Sequence, residues 1–154
     1  MRARAYQEGI FNSKWLSKFI NCWFFEGEKF KIEKLIYFSF FCLKKHFESN
    51  ALFFFFESLE RLKPWIGLKL NKLVRSKKKK IQSYPVILTK KAQYKKAIYW
   101  LVKSIKLRKE LSFSTKLITE ITSIVFDELT NSLKKKKEYY NYAIMFKSIR
   151  KFKW

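Results

Sequence analysis

Histidine and aspartate occur once each in this chain, at His46 and Asp127, and glycine and proline are almost as scarce, with 3 and 2 residues. That scarcity removes several kinds of chemistry. Gly9, Gly27 and Gly67 stand alone, and none opens the glycine-rich loop that brings backbone amides up to a phosphate. His46 has no second histidine with which to share a metal ion. Cys22 and Cys42 are not in CxxC spacing, lie in apolar runs, and are expected to be small buried hydrophobes. The glutamates at Glu28, Glu33, Glu57, Glu60, Glu120 and Glu128 are scattered on helical segments and read as surface ion pairs, not as acid–base machinery. The chain is therefore expected to hold no catalytic residue, metal or cofactor, and to act on no small-molecule substrate.

Long hydrophobic runs are missing as well. A bilayer span needs about 18 or more apolar residues in a row, and the runs Leu35 to Leu43 and Ala51 to Phe56 stop well short. No transmembrane segment is expected. The opening stretch, Met1 to Glu8, is too polar and short for a signal peptide and lacks the Ser-rich, acid-free length of a transit peptide, so the product is expected to act where it is made.

What the chain has in excess is positive charge. Its 154 residues carry 35 Lys and Arg against 12 acids, a formal net charge of +23. So much like charge repels itself unless a polyanion neutralises it, which points to nucleic acid or an anionic membrane. Hydrophobic residues at 48% and aromatics at 19% are enough for one real core. Lys, Phe, Ile, Leu, Tyr and Ser dominate, the residues of AT-rich codons, as in a compact organellar genome.

Periodicity predicts a mainly α fold: about six helices packed as a bundle, with one long protruding β-hairpin between the third and fourth. Ser13 caps a first helix running to about Phe25, with Trp15, Phe19, Ile20 and Trp23 on one stripe. A second runs from about Phe30 to Phe47 and a third from about Ala51 to Leu62, joined by the turn Glu48-Ser49-Asn50. Pro64 forbids further helix, and Trp65 to Leu88 reads as the hairpin with a charged tip. Helices follow at about Lys90 to Lys109, with Ala97, Ile98, Leu101, Val102 and Ile105 inward, and at about Ser112 to Thr130, with Leu117, Ile118, Ile121, Ile124, Val125 and Leu129 inward. A last helix is expected at about Leu133 to Lys147. The organisation expected is a basic extension (1–12), one helical domain (13–148) and a basic-aromatic tail (149–154).

The distribution of charge names the candidate binding residues. No acid occurs between Glu60 and Glu110, and that stretch holds 17 Lys and Arg. The candidates are Lys69, Lys72, Arg75, Lys77, Lys78, Lys79, Lys80, Lys90, Lys91, Lys95 and Lys96 there, Arg2 and Arg4 at one end, and Lys147, Arg150, Lys151, Lys153 and Trp154 at the other. Such a surface suits a phosphate backbone, binding through counterion release with little base specificity. In the tail, Phe152 and Trp154 could stack on bases while the charges hold phosphates, or pack back on the domain. The alternative reading is a peripheral membrane protein that binds anionic lipid through basic-aromatic surfaces. A major-groove DNA reader ranks below both, because the polar helix faces are poor in Asn, Gln and Arg.

Four segments, in order, resemble one known family. They are WLSKFINCWFFEG followed by EKFKIEKLIY (Trp15 to Tyr37), LERLKP (Leu59 to Pro64), SYPVIL with AIYWLV (Ser83 to Leu88, Ala97 to Val102), and the terminal FKSIRKFKW (Phe146 to Trp154). The chain resembles small-subunit ribosomal protein S-seven in a divergent organellar version. The resemblance implies a non-enzymatic protein bound to small-subunit ribosomal RNA in the head of the subunit, beside neighbouring ribosomal proteins. It would support head assembly and lie near the tRNA exit site and the path of departing mRNA. It also assigns Lys72, Arg75 and Lys77 to Lys80 as the hairpin's RNA contacts. The AT-rich bias and lack of a transit peptide point to an organelle-encoded protein, and the degree of divergence to the mitochondrion, with the plastid as alternative. Two features depart from the family: lysines replace the usual Gly-Gly at a longer hairpin tip, and Ala92 and Gln93 stand where it has Arg. The surplus aromatics Phe53 to Phe56 and Trp65 are expected to face neighbouring ribosomal proteins.

Overall fold

The computed structural model describes residues 10–23, 27–71 and 82–149. Helix α1 (Lys14–Trp23) starts where the Ser13 Oγ accepts the Leu16 amide at 3.3 Å. Helix α2 (Lys29–Phe47) ends at Glu48, which turns left-handed with φ 50°. Asn50 then caps α3 (Ala51–Leu62) by accepting the Leu52 amide at 3.0 Å. Pro64 follows two residues after its end and releases the chain into a hairpin, β1 (Ile66–Asn71) and β2 (Gln82–Ile87). Helices α4 (Lys90–Leu107), α5 (Phe113–Val125) and α6 (Asn131–Ile149) complete the described chain.

The hairpin is antiparallel, with Ile66 opposite Ile87, Leu68 opposite Pro85 and Asn71 opposite Gln82. The Leu88 amide donates to the Trp65 carbonyl at 3.0 Å, which sets the phase of the ladder. Counting by twos, the Leu68–Pro85 pair is one whose backbone nitrogens face away from the partner strand. Pro85 is tolerated there because a donor at that position would not have served the ladder. The Lys-rich tip between the strands lies outside the described residues.

Helix α3 is the central element, packed against α2, α4, α5 and α6. Phe55, Leu59 and Leu62 are fully buried, and Phe55 meets Phe19 of α1 at 5.3 Å and Phe40 of α2 at 5.9 Å. Each such side chain contributes about 1.5–3 kcal/mol by leaving water. The α4 stripe expected from periodicity, Ala97, Ile98, Leu101, Val102 and Ile105, is buried throughout.

Several local expectations are corrected. Helix α5 stops at Val125 instead of reaching Thr130, because Asp127 adopts a left-handed φ of 58°. The Glu128 amide then bonds back to the Ser123 carbonyl at 2.8 Å and the Asp127 amide to Ile124 at 3.3 Å, the double return that closes a helix. Leu129, expected in the stripe, is consequently 74% exposed. Helix α4 ends two residues early at Leu107, and α6 extends beyond both expected ends. Cys22 is exposed, since Leu16, Phe19 and Ile20 define the inner face of α1 and Cys22 lies opposite it. Glu120 and Glu33 are buried at 1% and 7%, not surface partners. The expected end of the first helix at Phe25 lies outside the described residues.

Candidate nucleic-acid interface

Because α1 packs on α4, their outward faces form one surface. Lys14 and Lys18 lie one turn apart on α1, and Lys91 and Lys95 one turn apart on α4. The Lys18 ammonium is pushed below its ordinary pKa, first by partial burial and then by the charges of Lys91, Lys14 and Lys95. Four cations from two distant segments therefore share one field, and a polyanion laid across them would relieve their mutual repulsion.

Aromatic rings stiffen this surface. Trp15 stacks on Tyr94 with ring centroids 4.6 Å apart and 24° between planes, and the Lys18 Nζ sits 4.4 Å from the Trp15 ring. Tyr94 donates its hydroxyl to Glu60, which raises the phenol to about 12, with burial adding to the effect. Burial pushes the Glu60 carboxyl upward, but hydrogen bonds from Lys63 and Tyr94 outweigh it and hold the group below its usual range. The carboxylate bonded to this face through Tyr94 is thus paired with a cation of its own, Lys63.

Lys69 on β1 and Lys90 in the first turn of α4 are exposed at the hairpin root and extend the basic surface, as do the exposed Lys91 and Lys95. Lys96 does not point freely outward. Its Nζ donates to the Tyr139 hydroxyl and lies 3.7 Å from that ring's centroid. Lys147 falls on α6. Arg2, Arg4, Lys72, Arg75, Lys77, Lys78, Lys79, Lys80, Arg150, Lys151, Lys153 and Trp154 lie outside the described residues. Sequence reasoning missed Lys14 and Lys18. Their spacing opposite Leu16, Phe19 and Ile20 marked a basic face, but only packing brings that face beside α4. Lys106 was missed too; its Nζ lies 5.4 Å from the Trp23 ring.

Gln93, where the resembled family has Arg, is 6% exposed and donates its side-chain amide to the Leu88 carbonyl at 3.0 Å, tying the returning strand to α4. Of the surplus aromatics, Phe55 is in the core, Phe54 and Phe56 are half-buried, and Phe53 and Trp65 are 63% and 65% exposed. Phe55 therefore faces no neighbour. Among the described residues no three His, Cys, Asp or Glu side chains gather to hold a metal ion, and no helix is long and apolar enough to cross a membrane.

Residues 2–146 match the family described as Ribosomal protein S7p/S5e. Small ribosomal subunit protein uS7 of Sulfurimonas denitrificans is 30% identical over 145 residues, covering 94% of this chain and 90% of that protein. The uS7 of Wigglesworthia glossinidia brevipalpis is 29% identical over 143 residues, with 93% and 88% covered. A mitochondrial relative, uS7m of Reclinomonas americana, is 26% identical over 148 residues, with 96% and 90% covered. A match over nearly the whole length, on a chain whose described residues form six helices with a hairpin between α3 and α4, leaves one conclusion: the chain belongs to the S7p/S5e family of ribosomal proteins.

Proposed function

We propose that this chain is a structural constituent of the small subunit of the mitochondrial ribosome, binding ribosomal RNA in the head of the subunit and supporting head assembly. The observation that carries the reading is the joint basic face of α1 and α4, running to the hairpin root, in a chain of this family. Lys14, Lys18, Lys91 and Lys95 neutralise phosphates while the Trp15–Tyr94 stack keeps the face rigid. The hairpin, with Lys72, Arg75 and Lys77 to Lys80, reaches toward the tRNA exit site and the departing mRNA, and the basic-aromatic tail adds contacts to RNA. Phe53 and Trp65 meet neighbouring ribosomal proteins. The protein itself performs no chemistry; family membership and the character of this surface support a binding role.

The test is sedimentation of a mitochondrial lysate through sucrose gradients at low and high salt, following the chain by mass spectrometry. Retention on the small subunit after the high-salt wash is expected. Release into soluble fractions, or recovery with membranes, would overturn the proposal; the second would favour the lipid-interface reading.

A further inference from the structure

A two-stranded ribbon is marginally stable alone, and its outer edges present backbone amides with no strand to pair them. Here the outward amide of Leu68 donates to the Tyr139 hydroxyl at 2.6 Å, and the amide of Trp65 to the Tyr140 hydroxyl at 2.9 Å. Both tyrosines lie on α6, more than seventy residues later in the chain. One turn earlier on the same helix face, the Lys136 Nζ donates to the Arg61 carbonyl at the end of α3. The adjoining position, Ala143, is buried at 4% and small enough to let the helix approach closely.

Tyr139 is itself held on two further sides. Its ring meets Trp100 of α4 edge-on at 5.4 Å and 67°, and Lys96 both donates to its hydroxyl and lies over its ring. With Leu68 and Lys96 as donors, both lone pairs of that oxygen are in use. We infer that Tyr139 and Tyr140 are positioning residues that clamp the hairpin root by the Leu68 and Trp65 amides and so fix the direction in which the hairpin leaves the domain. Lys96, expected to contact RNA, belongs to this clamp. The inference rests on the proposed role of the hairpin only for its consequence; the clamp itself is a property of the free protein.

The test uses the full chain carrying Tyr139→Phe, Tyr140→Phe and both, which keep the rings and remove the hydroxyls. In the free protein, hydrogen exchange at the Leu68 and Trp65 amides should speed up about tenfold for each bond lost, with core amides such as Ile121 unchanged. On a transcript of the small-subunit head RNA, the double variant should keep the protections due to α1 and α4 while those due to the hairpin weaken. Unchanged exchange at Leu68 and Trp65 overturns the clamp; faster exchange with an unchanged hairpin footprint overturns the positioning role. If the wild-type chain binds no head RNA, the functional proposal fails, and exchange alone still decides the clamp. Should the double variant not fold, the two single variants are read separately: Tyr140→Phe must speed exchange at Trp65 and Tyr139→Phe at Leu68, and unchanged exchange in both overturns the clamp.

Discussion

Glu120→Ala should cost about 3 kcal/mol of stability, far more than a glutamate on an exposed face would. Glu120 is 1% exposed at the meeting of α4, α5 and α6. Its Oε2 accepts the Arg108 Nε at 2.6 Å, and its Oε1 accepts the Ser132 hydroxyl at 2.7 Å. Ser132 shares a 2.9 Å bond with Thr130, whose hydroxyl accepts the Leu133 amide at 3.3 Å and so caps α6. Alanine removes two bonds to a charged group, each worth about 1.5–3 kcal/mol. The total falls toward the lower end because the survivors keep partners. Arg108 retains Glu110 at 2.8 Å and is 20% exposed, and Ser132 retains Thr130. For a chain of this length the loss corresponds to a Tm lowered by about 6–12 °C. Glu120→Gln keeps the volume and the acceptor for Ser132 and should cost about half as much. Urea unfolding followed by circular dichroism measures both. A loss below about 1 kcal/mol for Glu120→Ala would refute the claim that this network joins the three helices.

Phe55→Ala, which empties the space between Phe19 and Phe40, should destabilise the fold by about 3–5 kcal/mol in the same assay. Lys63 and Tyr94, both bonded to Glu60, make stability fall at both ends of the pH scale. Because the folded Glu60 carboxyl lies below its unfolded value, its contribution is complete above about pH 4.3 and is lost as pH falls through the lower folded value. Because the folded Tyr94 phenol is raised to about 12, its contribution is complete below about pH 10 and is lost as pH climbs from there toward 12. Tyr94→Phe should make the alkaline fall in stability shallower between about pH 10 and 12 in a pH series of unfolding curves. Lys18→Met should weaken binding to head RNA uniformly across sequences and reduce the slope of log affinity against log salt by about 0.7–1, measured by filter binding.

Much of the backbone was readable because punctuation residues act locally. Ser13, Asn50 and Pro64 set helix ends through bonds or steric exclusions within a turn of themselves, and α3 has the bounds the sequence implied. Asp127 escaped because a left-handed residue that is not glycine has little signature of its own. Helix α6 was legible as a helix but its docking face was not: Ser132, Lys136, Tyr139, Tyr140 and Ala143 do not form an apolar stripe, so hydropathy gave no direction.

Composition and periodicity alone determined that this chain is strongly basic and mainly helical, because net charge and the 3.6-residue repeat are properties of the chain itself. Tertiary structure decided which lysines act together and which do not. Lys14 and Lys18 join Lys91 and Lys95 only because α1 lies on α4, and Lys96 turns inward only because α6 brings Tyr139 beneath it. A field depends on distances in space, and those are set by packing between segments far apart in sequence.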